Sequence, residues 1–178
     1  MNYQHAITRH LRAALAAIAL TGAMGAANAL DFTLKNPYLG VAAGSTDGYG
    51  TGLRLYGGAP VTNIFGWEAA LTSFGSETYA YALVNRAPYE RSAWAFGGMA
   101  TARFPLNNYF SAFGKLGVHY YSSKATGPGV DDKESGLRAG IGAGLLWHFT
   151  SNAALRLEVE NIGGANGDLF LGGFQFAF

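Results

Sequence analysis

The chain has 178 residues with 12 lysines and arginines, 11 aspartates and glutamates and no cysteine, which excludes a disulfide framework, thiolate metal sites and cysteine catalysis. That balance argues against a nucleic-acid partner, and 26 glycines with 14% aromatics but no three-residue period indicate packed β structure rather than collagen. Past the first segment no apolar run approaches the ~18 residues of a membrane helix, so a place in a bilayer is open only to a closed barrel.

The first segment, residues 1–29, reads as a signal peptide. Arg9 and Arg12 supply a positive start, Ala13 to Leu20 an apolar stretch and Ala27-Asn28-Ala29 a cleavage site, making Leu30 the mature N-terminus. Residues 30–178 then suit a single domain.

Pro37 to Ser45 alternates Leu39, Val41 and Ala43 against Tyr38, Gly40, Ala42 and Gly44, and Thr46 to Gly50 is a turn of residues that tolerate positive φ. Thr51 to Gly57 returns with Leu53 and Leu55 opposite Arg54 and Tyr56, until Gly58-Ala59-Pro60 breaks the pattern. Asn63 to Phe74 sets Phe65, Trp67, Ala69 and Leu71 against Gly66, Glu68, Ala70 and Thr72. The long segment Gly75 to Arg91 follows, with Tyr79, Tyr81 and Leu83 prolonging the strand.

Ser92 to Phe104 places Trp94, Phe96, Ala100 and Ala102 opposite Gly97, Met99, Thr101 and Arg103, and Pro105 to Asn108 closes a tight turn. Tyr109 to Tyr121 opposes Phe110, Leu116, Val118 and Tyr120 to Lys115, Gly117 and His119. Ser122 to Ser135 reads as a polar loop. Gly136 to Phe149 carries Leu137, Ile141, Leu145 and Trp147 against Arg138, the glycines at 140, 142 and 144, Leu146 and His148. After Thr150-Ser151-Asn152, Ala153 to Ile162 sets Leu155, Leu157 and Val159 against Arg156, Glu158 and Glu160. Gly163 to Gly167 leads into Asp168 to Phe178, where one face holds Phe170, Phe174, Phe176 and Phe178.

These segments make eight antiparallel strands in up-and-down order, with polar or longer joints alternating with short turns, the pattern of an outer-membrane barrel. The face that carries charge also carries the glycines, which suits a narrow lumen filled by side chains and gives a solvated surface no advantage. Arg54, Glu68, Arg103, Lys115, Arg138, Arg156, Glu158 and Glu160 on that face have both signs, as enclosed ions must. Trp67, Trp94 and Trp147, with Phe178, fall on the apolar face near strand ends, where aromatic girdles meet headgroups.

Arg156-Leu157-Glu158-Val159, the Asn161-Ile162-Gly163 after it, and a last strand with Leu-Gly-Gly and alternating phenylalanines resemble the transmembrane barrel of the OmpA family. The terminal Phe178 resembles the ending that the barrel-assembly machinery reads in such proteins. The resemblance implies an eight-stranded barrel plugged by paired interior side chains, which in the best-known member exchange partners and gate a narrow pore. Glu68, Arg103 and Arg156 match that cluster. The sixth strand departs from it, offering Arg138, Leu146 and His148 where a carboxylate is expected, so Glu158 or Glu160 would have to substitute. The peptidoglycan-binding domain that follows the barrel in many relatives is not expected here.

Some barrels of this size are lipid A deacylases, and His148 to Ala153 resembles their motif. There the serine lies two residues after the histidine, on one face; here Ser151 lies three after His148 and points away. His119 has no partner at metal-ligand spacing, and Asp131-Asp132-Lys133-Glu134 lacks the alternating oxygens and glycine of a calcium loop. The expectation is therefore a non-enzymatic outer-membrane barrel without metal or cofactor, structural and adhesin-like. Its partners would be membrane lipid and lipopolysaccharide, the assembly machinery, and a host or envelope surface met through Gly75 to Arg91 and Ser122 to Ser135. A narrow gated pore and a deacylase are the alternatives.

Overall fold

The computed structural model describes residues 36–79, 88–128, 130–163 and 167–178. The expected signal peptide, Tyr81, Leu83 and Gly164-Ala165-Asn166 lie outside the described residues. Eight strands follow one another: β1 (Tyr38–Thr46), β2 (Gly50–Pro60), β3 (Phe65–Tyr79), β4 (Tyr89–Pro105), β5 (Phe110–Gly127), β6 (Val130–His148), β7 (Ala153–Ile162) and β8 (Asp168–Ala177). Each runs antiparallel to the next, and β8 returns to β1 with Tyr38 opposite Ala177, so the sheet closes on itself. The expected up-and-down barrel is the fold observed.

Alternation decides what faces where. Leu53, Leu55, Leu71, Phe96, Leu116, Val118, Ile141, Leu157 and Phe170 are exposed on the outside, while Arg54, Tyr56, Thr72, Ala95, Lys115, His119 and Leu171 are buried. The ten steps from Trp94 to Phe104 on β4 rise ~3.3 Å each and, tilted ~40°, cover about 25 Å of height, the thickness of an outer-membrane apolar band.

At the end where β1 begins and β8 ends, three short turns share one device. Thr62 Oγ1 accepts the N–H of Phe65 at 2.8 Å, Asn107 Oδ1 those of Tyr109 and Phe110 at 2.8 Å each, and Thr150 Oγ1 that of Ala153 at 2.9 Å. A side-chain oxygen thus replaces the missing ladder partner at each reversal.

Two segments differ from expectation. Gly58-Ala59-Pro60 does not break β2: Gly58 stays in the ladder between Tyr38 and Glu68, and its missing side chain leaves room for the Tyr38 hydroxyl, 2.8 Å from where a Cβ would stand. Pro60 ends the strand, where a missing N–H costs least. Ser122 to Ser135 is not a loop but a hairpin, paired from Ser122↔Ser135 to Gly127↔Val130. As expected for Tyr79, β3 is prolonged past Gly75, and β4 with it, through Glu77↔Arg91 and Tyr79↔Tyr89, beyond a bulge at Ser73/Gly75 where Gly75 adopts φ 94°. β1–β2 and β7–β8 stop lower, so β3 to β6 stand above the rim as a four-stranded sheet.

Candidate functional site

The middle of the lumen holds six ions. Arg54 from β2, Glu68 from β3, Lys115 from β5 and the triplet Arg156, Glu158 and Glu160 from β7 are each at most 4% exposed. Alternate positions on β7 point the same way, so a five-residue stretch delivers three charges to one level. Arg156 donates to Glu68 at 2.6 and 3.1 Å and to Glu158 at 2.7 Å. Lys115 Nζ lies 2.5 Å from Glu158, 2.5 Å from Glu160 and 3.3 Å from Glu68. Arg54 pairs with Glu158 and Glu160 and donates to Thr72 at 2.9 Å. Three cations thus face three carboxylates, the condition under which ions survive away from water.

Aromatic groups surround this layer. Arg156 is flanked by the rings of Tyr56 at 4.3 Å and Phe113 at 4.2 Å, and the Tyr38 hydroxyl donates to Glu68 at 3.0 Å. Toward the hairpin end, Tyr49 and Tyr121 both pack edge-on against Phe74, and their hydroxyls lie 2.6 Å apart. Toward the termini, Phe113, Leu146 and Ala154 form a second buried apolar cluster.

His119 lies fully buried beside the ions, its Nε2 3.2 Å from Glu160. Its ring occupies the space over Gly97 and Gly140, where added Cβ atoms would stand 2.4 and 2.7 Å from it. Sequence alternation placed His119 inside but gave no sign of those two neighbours, nor of Tyr49, which comes from the β1–β2 turn.

Two residues of the expected cluster lie elsewhere. Arg138 faces inward nearer the rim, 2.6 Å from Glu134, donating to the Gly163 carbonyl at 2.7 Å and lying 3.8 Å from the Tyr121 ring. Arg103 sits at the opposite mouth, 5.6 Å from the Tyr38 ring, and joins no ion pair among the described residues. The match of Arg103 to the family's cluster is therefore corrected; Glu158 and Glu160 stand with Glu68 as the interior carboxylates.

Trp67 and Trp147 face outward near the end where β1 begins and β8 ends, Trp94 outward near the other, and Phe178 is exposed. Phe110 stacks on Trp147 with centroids 6.4 Å apart, and Trp94 packs on Tyr120 at 5.8 Å. Ser151 and His148 do not meet: Ser151 donates to Asn152 at 2.7 Å, and His148 Nε2 lies 3.3 Å from the Ser111 hydroxyl. Among the described residues no group of three or more histidines and carboxylates is arranged to hold a metal ion.

A closed barrel with leucine, phenylalanine and tryptophan outside and ions inside inverts the pattern of a water-soluble protein and defines an integral membrane barrel. The chain belongs to the outer membrane protein β-barrel domain family, whose model matches residues 13–178. Among solved structures it is similar to the N-terminal β-barrel domain of Pseudomonas aeruginosa OprF, at 15% identity over 82% of this chain and 100% of that one, with TM-score 0.61. It is also similar to neisserial surface protein A, at 14% identity over 80% and 97% with TM-score 0.57. A third likeness is to Ail, the attachment invasion locus protein of Yersinia pestis, in complex with the heparin analogue sucrose octasulfate, at 16% over 80% and 97% with TM-score 0.54. No curated protein sequence matches the chain. The protein is thus an outer-membrane barrel. In such barrels the short-turn end faces the periplasm and the longer hairpins face outward.

Proposed function

We propose that the protein is a non-enzymatic outer-membrane barrel whose interior is closed by its own ion pairs and whose outward sheet makes surface contacts. The observation that carries this reading is the balanced set of six buried ions capped by Tyr49, Phe74 and Tyr121 on one side and by Phe113, Leu146 and Ala154 on the other. A lumen filled in this way gives a rigid base, and the extended strands of β3 to β6 project from it as the part free to meet a partner. Membrane lipid and lipopolysaccharide surround the barrel, and the aromatic final strand is the handle for the assembly machinery.

Ail is the neighbour crystallised with a polyanion. The segments Gly75 to Arg91 and Ser122 to Ser135 carry Glu77, Glu90, Asp131, Asp132 and Glu134 against Arg86, Arg91, Lys124 and Lys133, without the positive surplus that polyanion recognition needs. An uncharged or mixed-charge protein surface suits them better. The test compares bacteria displaying the intact barrel with bacteria whose β5–β6 hairpin is shortened, for adhesion to immobilised host-cell and matrix proteins. Loss of adhesion with the fold retained supports the proposal, and equal adhesion refutes the surface role.

The narrow pore is favoured by one feature, Lys115, which touches all three carboxylates and so provides a route for partner exchange. In planar bilayers the intact protein should be silent; conductance steps that change in Glu68→Ala would instead establish the pore.

A further inference from the structure

We infer that the periplasmic mouth holds a binding site for a phosphate group, centred on Arg103 and separate from both the interior ions and the outward sheet. A cavity of about 230 Å³ opens there, lined among others by Tyr38, Thr62, Asn63, Thr101 and Arg103. Among the described residues no carboxylate lines it, and none lines the larger cavity of about 530 Å³ that holds Ser111 and His148. Arg103 is half-buried, yet among the described residues its guanidinium has neither an ion pair nor a hydrogen bond. A guanidinium presents five N–H donors in a planar fork, and since none has an acceptor among the described residues they are free to bind a ligand that enters the cavity. Every other inward-facing arginine described here does have a partner: Arg54 and Arg156 pair with glutamates and Arg138 pairs with Glu134.

The surroundings fit an oxyanion. The Tyr38 ring covers one side of the guanidinium, which leaves its edge to the cavity. Thr62 Oγ1 accepts the backbone N–H groups of Ile64 and Phe65, so its own proton is left to donate. Asn63 and Thr101 add an amide and a hydroxyl. A phosphate would take two hydrogen bonds from the Arg103 fork, the bidentate geometry that arginine offers and lysine does not. Phe65 and Trp67 face outward beside this rim, at the level where inner-leaflet headgroups lie, so the phosphate has two sources: a phospholipid headgroup or a free phosphate of the periplasm.

The test reads the Nε–H resonance of Arg103 by NMR. Protein is extracted from the outer membranes of cells grown on ¹⁵N and held either in an uncharged maltoside micelle or in nanodiscs of phosphatidylglycerol. In the micelle, inorganic phosphate should shift the Arg103 signal saturably, together with the backbone amides of Thr62 and Asn63, while chloride at equal ionic strength should not. A shift with phosphate identifies a free-anion site; a shift only in nanodiscs identifies the lipid headgroup. In either case R103Q should abolish the shifts at Thr62 and Asn63, and R103K should weaken binding about tenfold through loss of the fork. Retained heat-dependent migration in electrophoresis shows that each variant is folded. If no resonance at this mouth responds to either source, or if R103Q responds as the intact protein does, the site does not exist.

Discussion

Replacing Lys115 by methionine tests whether the interior ions act as one balanced set. The ammonium lies 2.5 Å from Glu158, 2.5 Å from Glu160 and 3.3 Å from Glu68. With an effective dielectric of about 20, each contact is worth roughly 5–7 kcal/mol before any opposing term. Repulsion from Arg54 and Arg156 and the lost hydration of the ammonium offset most of that. Removing one partner of a buried pair costs about 3–5 kcal/mol, because the ion left behind is uncompensated. Methionine keeps the length and apolar stem, so the cavity contribution is small. Lys115→Met should therefore lose about 3–5 kcal/mol in urea unfolding from lipid vesicles, followed by tryptophan fluorescence. Adding Glu158→Gln restores two charges of each sign and should recover at least half of the loss. A single variant within about 1 kcal/mol of the parent, or a double variant no better than the single, would refute the idea that charge balance holds the lumen together.

Leu157 faces outward halfway along β7, so Leu157→Arg should cost about 2–4 kcal/mol if that level is the bilayer midplane, read in the same unfolding assay. Gly97→Ala puts a methyl 2.4 Å from His119 Nδ1; it should destabilise by about 1–3 kcal/mol, and His119→Ala in the same chain should relieve part of that loss. Replacing Lys124 to Lys133 by a two-residue turn should leave heat-dependent migration in electrophoresis unchanged and cost under about 1 kcal/mol, since those residues are paired only with one another and with the upper end of β4.

Strand alternation is readable wherever one face meets lipid and the other a polar lumen. It gave the inward side of Arg54, Glu68, Lys115, Arg156, Glu158 and Glu160 because Leu55, Leu71, Leu116 and Leu157 stand between and opposite them. Above the membrane both faces meet water and the contrast vanishes. For that reason Lys124, Thr126, Asp131 and Lys133, all exposed and all in paired strands, gave no sign of a hairpin in the sequence. Height is a second quantity that alternation does not contain. Arg103 and Lys115 share a face, yet Arg103 pairs in register with Phe113 and Lys115 with Thr101. Arg138 stands opposite His119, further up. Which inward charges share a level depends on the stagger between strands, fixed only when the sheet closes. Gly58-Ala59-Pro60 shows a third limit: a glycine that reads as a break can instead be the position where a neighbouring strand's tyrosine needs room.

The placement of the ions also bears on how the barrel forms. β7 neighbours β6 and β8, but the partners of its three charges come from β2, β3 and β5, none of them adjacent to it. The one contact available to β7 alone is Arg156 with Glu158. Lys115 reaches Glu160 across Gly142 once β5, β6 and β7 are paired, whereas Arg54 on β2 comes beside Glu158 and Glu160 only when β1 meets β8. Closure completes the set by adding Arg54, so its attraction to Glu158 and Glu160 favours the finished barrel over partly zipped sheets, whose exposed edges invite pairing with other chains.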